Sequence, residues 1–252
     1  MVVLEQLEDM VEAARTELCA MVGCVVEYRR PFRGGRRPAG AEAPDPAWRP
    51  APVVLVHGAG HNPSAWIHLG DRLEAAGFHD LHGVAYGIAA DVPRIAESID
   101  ARVEDARRRS GARRVHVVAH SLGGIATRYW HDHLGGRARA EAIVTLGSPH
   151  AGTPWARFGL TPRVRDLAPG SAFLTRLGGR AADYRHWTTV GASMDPLVPA
   201  GRAHLRTSRR VDLRALGHLG LLTSGAAGGW VCAALLEAED RRHAAARAGL
   251  AA

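Results

Sequence analysis

The chain has 252 residues, 46% of them hydrophobic and 23% charged, with a formal net charge of +7. That length supports a sizeable buried core, and the composition is that of an ordinary globular domain, not a disordered or fibrous chain. All 32 basic residues are arginines in a chain rich in Ala, Gly and Arg. The positive balance therefore reads as coding bias, and no nucleic-acid partner is expected. Cys19, Cys24 and Cys232 allow at most one disulfide and have no metal-ligand spacing, so a reducing compartment and packed apolar thiols are expected. The opening stretch "MVVLEQLEDMVEAAR" is acidic from position 5 and has no basic n-region. It is not read as a secretory signal; the expected location is cytoplasmic, with secretion of a processed form left open.

Residues 1–28 carry the first element, an amphipathic helix. Leu4, Leu7, Val11, Ala14, Leu18, Met21 and Val25 follow alternating steps of three and four and share one stripe. The stripe is expected to pack on the main domain; a helical partner, including a second copy of the chain, is the alternative. The opposite face is acidic, which argues against an anionic membrane. Residues 29–52, dense in Pro, Gly and Arg, read as a linker or surface arm. The chain thus divides into a helix and arm at 1–50 and a main domain at 51–252.

From residue 52 strands and helices alternate. "PVVLVH" is a short valine-rich run of the kind a buried parallel strand requires. A helix follows over 64–75, a strand at "LHGVAY", and a long amphipathic helix at "VPRIAESIDARVEDARRR". "RRVHVVAH" is a strand and 122–134 a helix; "AEAIVTLGS", "RHWTTVGAS" and "SRRVDLRAL" are three more strands. The pattern predicts an α/β fold, a mostly parallel sheet with helices on both faces. The uncharged segment 215–236 holds Ser, Thr and several glycines, so it reads as a buried loop and helix, not a membrane span.

In such a sheet functional groups gather beyond the carboxyl ends of the strands. "VVAHSLGG" places Ser121 on a strand-to-helix turn, with the small residues Ala119 and Gly123 two positions either side. The first position departs from Gly-x-Ser-x-Gly. A serine hydroxyl needs a base, and the base an orienting acid. Asp195 follows the next-to-last strand and His218 the last, and Ser-Asp-His is the chain order of this hydrolase arrangement. Asp183 and Asp212 are the substitute acids. The oxyanion donors would be the backbone N–H groups of Leu122, after the serine, and Ala59, in the glycine loop after the first core strand. His57 and His120 read as orienting neighbours; Ser148 and His150 as loop structure. No metal or other cofactor is expected.

"VVLVHGAG", "VVAHSLGG", "TLGSPHAGTP", "GASMDPLVP" and "GHLGLL" together resemble the motifs of bacterial lipases and esterases of the α/β-hydrolase fold, the triacylglycerol lipase group. The resemblance spans residues 52 to 236 and is most specific at "AHSLGG" and "LGSPHAGTP". It implies Ser121 as nucleophile, Asp195 as acid, His218 as base, and Leu122 and Ala59 as oxyanion donors. Small Bacillus-type members also carry alanine at the first elbow position. In the fold implied, a short lid-like insert follows the sixth core strand, here at about 150–185. Trp155, Phe158 and Leu160 in it would line the acyl site, a cap that completes the core being the alternative. The implied reaction is hydrolysis of lipid-like carboxylic esters, with transient contact at a lipid interface. The same residues would serve an acyltransferase or thioesterase, and the fold could equally carry a non-catalytic binding protein. The N-terminal helix and arm have no counterpart in the resemblance.

Overall fold

The computed structural model describes residues 2–27, 32, 48–159, 162–177 and 183–249. Most of the Pro/Arg/Gly-rich arm lies outside these. The described elements are α1 (Val2–Glu27), β1 (Val53–Val56), α2 (Ile67–Ala75), β2 (Leu81–Val84), α3 (Val92–Ser110), β3 (Val115–His120), α4 (Leu122–His133) and α5 (Gly136–Arg139). They continue with β4 (Ala140–Leu146), α6 (Pro162–Arg165), α7 (Ala172–Leu177), β5 (Trp187–Ala192), β6 (Arg209–Leu213), α8 (Gly220–Thr223) and α9 (Gly225–Arg247). The six strands form one all-parallel sheet in the order β2-β1-β3-β4-β5-β6. Each strand expected from the sequence is present.

Local chemistry accounts for the helix ends. In α3, Asp91 accepts a hydrogen bond from Arg94 N–H at 3.0 Å at the start, and Gly111, at φ 73°, closes the end. Its buried residues Ile95, Ile99, Val103 and Ala106 fall on one stripe. The side-chain alternation of the strands builds two cores. Val54, Val56, Val117 and Ala119 meet α3 and α4 on one face. Val53, Leu55, Val118 and Val144 meet α2, α8 and α9 on the other.

The strand order places a topological switch between β1 and β3: the chain leaves β1 toward one edge and returns past it to continue toward the other. In open parallel sheets the loops at the carboxyl ends of two such strands diverge, and ligands are bound between them. The lid-like insert follows β4, the fourth strand of this chain, and not a sixth, since β5 and β6 come after it. Its second half completes the core: Leu174, Leu177 and Tyr184 are buried in the cluster around α4.

The N-terminal helix is present, yet the described part of the stripe that its periodicity singles out faces outward; the side chains of Leu4 and Val25 lie outside the description. Leu7, Val11, Leu18 and Met21 are all more than half exposed. α1 instead docks against α8 and the 3-10 turn at Pro63–Trp66, burying Ala13 and Ala20. The partner surface selects small residues: α8 is entered through Gly217 and Gly220, and a Cβ on Gly220 would lie 3.1 Å from Thr16. Cys19 is exposed, not packed, and Cys232 is half-buried; both are free thiols.

Candidate active site

β3 ends at His120, and Ser121 turns the chain into α4 with φ 52° and ψ −123°. This is a left-handed conformation that a residue with a Cβ rarely adopts. β4 and the first turn of α4 hold it there: Ser121 N–H donates to Leu146 O at 2.9 Å, and Ser121 O accepts from Gly124 N–H at 3.0 Å. The turn is crowded enough to explain its glycines. A Cβ on Gly123 would lie 2.4 Å from His57 O and 2.6 Å from Val56 O, and one on Gly124 would lie 2.0 Å from Ser148 Oγ. Gly58, after β1, passes so close that its Cβ would sit 3.0 Å from Ser121 Cβ and 2.9 Å from His120 Nδ1. The serine therefore stands at the switch between β1 and β3, partly exposed.

Of the three candidate acids, only Asp195 meets His218. Asp183 pairs with Arg185 on the surface, and Asp212 pairs with His204. His218 Nδ1–H donates to Asp195 Oδ2 at 2.6 Å, with both side chains buried. The other carboxylate oxygen, Oδ1, accepts from Leu197 N–H and Val198 N–H, each at 2.8 Å. Both carboxylate oxygens are thus engaged, and the carboxylate is oriented toward the imidazole. Gly147, at φ 54°, leaves room for the pair: a Cβ there would lie 3.2 Å from His218 Nδ1 and 3.3 Å from Asp195 Oδ2. His120 ties this pair to the serine's strand. Its ring centroid is 4.6 Å from that of His218, and its Nε2–H donates to His218 O at 3.1 Å. Among the described residues Ser121 and His218 share no hydrogen bond, a gap common before substrate is bound.

The N–H groups of Ala59 and Leu122 have no protein acceptor among the described residues. Leu122 opens α4 directly after the serine, and Ala59 follows Gly58 beside it. The loop carrying Ala59 is braced by Tyr86, two residues past the end of β2, whose ring stacks on His57 at 4.0 Å and whose hydroxyl donates to His57 O at 2.5 Å. His57 Nδ1–H in turn donates to Gly58 O at 2.9 Å. Burial pushes His57 down to about 4, against the opposing effect of that hydrogen bond. His120 is held well below the usual histidine range by complete burial and then by the nearby His218, and burial also depresses His61, again with His218 beside it. The imidazoles around His218 are thus kept neutral. Tyr86 and His61 escaped the sequence reading; "LHGVAY" marks a strand but does not say what its last aromatic touches.

Ser148 and His150 are buried in the loop after β4, where His150 Nε2 is hydrogen-bonded to Thr145 Oγ1 at 3.0 Å. Trp155 and Phe158 belong to the turn Pro154–Phe158 and face outward, 61% and 78% exposed, while Ala156 turns inward. Trp155 Nε1–H donates to Pro196 O at 2.6 Å, which lays the indole against the loop that carries Asp195. Leu160 lies outside the described residues. Among the described residues no cluster of His, Cys, Asp or Glu could hold a metal ion, and no helix is long and apolar enough to cross a membrane.

A parallel sheet with a strained serine after its third strand, and an Asp–His pair after its fifth and sixth, defines the α/β-hydrolase fold. The profile of the alpha/beta hydrolase family matches residues 53–252, and the chain belongs to that family. Among solved structures, the mature Bacillus licheniformis lipase BlEst2 superposes with a TM-score of 0.66 at 18% identity, over 77% of this chain and 94% of that one. Aspergillus fumigatus lipase B gives 0.63 at 18% identity, over 79% of this chain and 53% of that one, so this chain spans about half its length. The Legionella pneumophila phospholipase PlaB gives 0.52 at 16% identity, over 61% of this chain and 45% of that one.

Proposed function

We propose that the chain is a serine hydrolase that cleaves carboxylic esters of lipid-like acyl groups through Ser121, His218 and Asp195. The observation that carries this reading is the buried 2.6 Å hydrogen bond from His218 to Asp195, joined through His120 to the strained turn of Ser121. Nothing in a merely structural turn calls for a serine in that conformation beside an oriented imidazole. The fold shared with two lipases and a phospholipase supports the choice of substrate class.

With Nδ1–H given to Asp195, His218 Nε2 carries the lone pair and takes the proton from Ser121 Oγ as that oxygen attacks the ester carbonyl. The negative charge passes to the carbonyl oxygen, where the N–H groups of Leu122 and Ala59 receive it. The C–O bond then breaks, the alcohol leaves with the proton from His218, and an acyl-enzyme remains. Water repeats the sequence: His218 takes its proton, hydroxide adds to the acyl carbon, and the acid departs as Ser121 Oγ regains the proton. Asp195 holds the tautomer and stabilises the imidazolium without accepting the proton. The outward face of Trp155, whose indole lies against the Asp195 loop, and that of Phe158 on the same turn suit brief contact with a lipid aggregate.

The test is hydrolysis of p-nitrophenyl esters of short to long acyl chain by the native protein and by Ser121→Ala. Activity that disappears in the variant supports the reading, and the chain-length profile separates esterase from lipase. A native chain inert on every ester overturns it, and acyl transfer and thioester cleavage would then be assayed.

A further inference from the structure

We propose that Glu17, on the N-terminal helix α1, is a positioning residue for His218, so that α1 forms part of the active site. The inference rests on the reading of His218 as the base. The Glu17 carboxylate accepts hydrogen bonds from the two amides that follow His218. Leu219 N–H lies 2.9 Å from both of its oxygens, and Gly220 N–H lies 2.9 Å from Oε2. The partners are about two hundred residues apart in sequence, so only the docking of α1 brings them together.

The consequence lies in one peptide group. The carbonyl of His218 accepts from His120 Nε2–H, on the strand that leads to the serine. The N–H of the same peptide, that of Leu219, donates to Glu17. A peptide plane held at both its oxygen and its nitrogen resists rotation, and the Cα of His218 that it carries is restrained with it. The loop enters through Ala215 at φ 54°, where Ala215 N–H donates to Ser193 Oγ at 3.1 Å, and passes Gly217 before His218. Gly217 is pressed against Glu17 closely enough that a Cβ would lie 2.4 Å from Oε2.

Among the described residues of the α1 docking face, no other carboxylate could replace this one. The neighbouring residues on the docking face are Ala13, Thr16 and Ala20, and the Thr16 hydroxyl already donates to Glu12 O at 2.7 Å. Without Glu17, two amide donors would face an apolar helix surface unpaired, and the loop would shift to satisfy them. A separate tether, Asp9 to Arg214 at 3.0 Å, joins α1 to the other end of the loop without touching the His218 peptide. It supplies a control that loosens the helix but leaves the clamp.

The experiment compares full-length Glu17→Ala, Glu17→Gln and Asp9→Ala with the native chain. Ester hydrolysis is measured per active site titrated with a fluorophosphonate, and Ser121→Ala defines the background. Glu17→Ala is expected to lower kcat by about tenfold or more with KM within about twofold. Glu17→Gln, which keeps one acceptor oxygen, should recover part of that loss, and Asp9→Ala should behave as native. In parallel, the low-field proton NMR signal of the His218–Asp195 hydrogen bond reads the same geometry with no ester present. It should broaden or vanish in Glu17→Ala and persist in Asp9→Ala. Native kcat in Glu17→Ala with an unchanged proton signal overturns the proposal, as does equal damage from Asp9→Ala. If the native chain itself hydrolyses no ester, the hydrolase reading fails separately, and the NMR comparison alone decides whether Glu17 holds the imidazole.

Discussion

Replacing Ser121 by glycine should make the protein more stable while abolishing its chemistry. Ser121 sits at φ 52° and ψ −123°, where a Cβ clashes with the backbone; such a conformation costs about 1–3 kcal/mol for a non-glycine residue. Glycine relieves the strain but loses roughly 0.5–1 kcal/mol through its greater freedom in the unfolded chain. Alanine keeps the Cβ and hence the strain, and removes only the hydroxyl. Ser121→Gly should therefore be about 1 kcal/mol more stable than Ser121→Ala, a rise of roughly 2–4 °C in Tm for a domain of this size. Urea unfolding of both variants and the native chain, with slopes compared as well as midpoints, gives the difference directly. A Ser121→Gly midpoint at or below that of Ser121→Ala would refute the argument that the turn stores strain. Ala215, at φ 54° on the His218 loop, supplies an internal comparison: Ala215→Gly should also gain stability.

Three further outcomes are expected. Asp195→Asn keeps the size of the side chain but sets an amide against His218 Nδ1, favouring the wrong tautomer; kcat should fall about 10³–10⁴-fold with folding retained, checked by circular dichroism and ester turnover. Gly123→Ala drives a Cβ to 2.4 Å and 2.6 Å from the carbonyl oxygens of His57 and Val56, both backbone atoms. It should lower stability by about 1–3 kcal/mol or more and spoil activity, whereas Gly111→Ala, with no atom near its Cβ but φ 73°, should cost about 1 kcal/mol and leave activity unchanged. Acid should destabilise the fold in two windows. His57, depressed to about 4 by burial, is neutral when folded but takes up a proton near 6.5 when unfolded, so stability is complete above that pH and is lost as pH falls toward 4. Burial alone would raise Glu239, but hydrogen bonds from His116, Arg242 and the Ala51 amide bring it down to about 2, and its contribution disappears between roughly 4.5 and 2. Urea midpoints that stay constant from pH 7.5 to 4.5 would contradict the first window; equal acid sensitivity in Glu239→Gln below pH 4.5 would contradict the second.

Much of this was legible from residues 52 onward because it is locally encoded. Valine-rich runs such as "VVLV" have only one comfortable home, a strand covered on both faces, and α3 carries its own cap signals at Asp91 and Gly111. The serine turn announces itself too, since the backbone contacts that exclude a Cβ at Gly123 demand small residues at fixed spacing. Chain order, placement after separate strands and the family motifs together brought Ser121, Asp195 and His218 into one proposal.

Tertiary structure decided what depends on distant partners. Sequence named Asp195 as the acid with Asp183 and Asp212 as substitutes; the pairing itself depends on which strand end the His218 loop crosses, and of the three only Asp195 meets His218 there. Periodicity also marked a face of α1 that the main domain does not bury at Leu7, Val11, Leu18 or Met21. A hydrophobic stripe reports which side chains water disfavours, but packing requires a surface of matching shape. The surface at α8 is a glycine-bordered groove that admits Ala13 and Ala20 and needs an acceptor for two amides. Glu17 meets that need from the far end of the chain, and nothing in its own neighbourhood in the sequence distinguishes it from the other acidic residues of the helix.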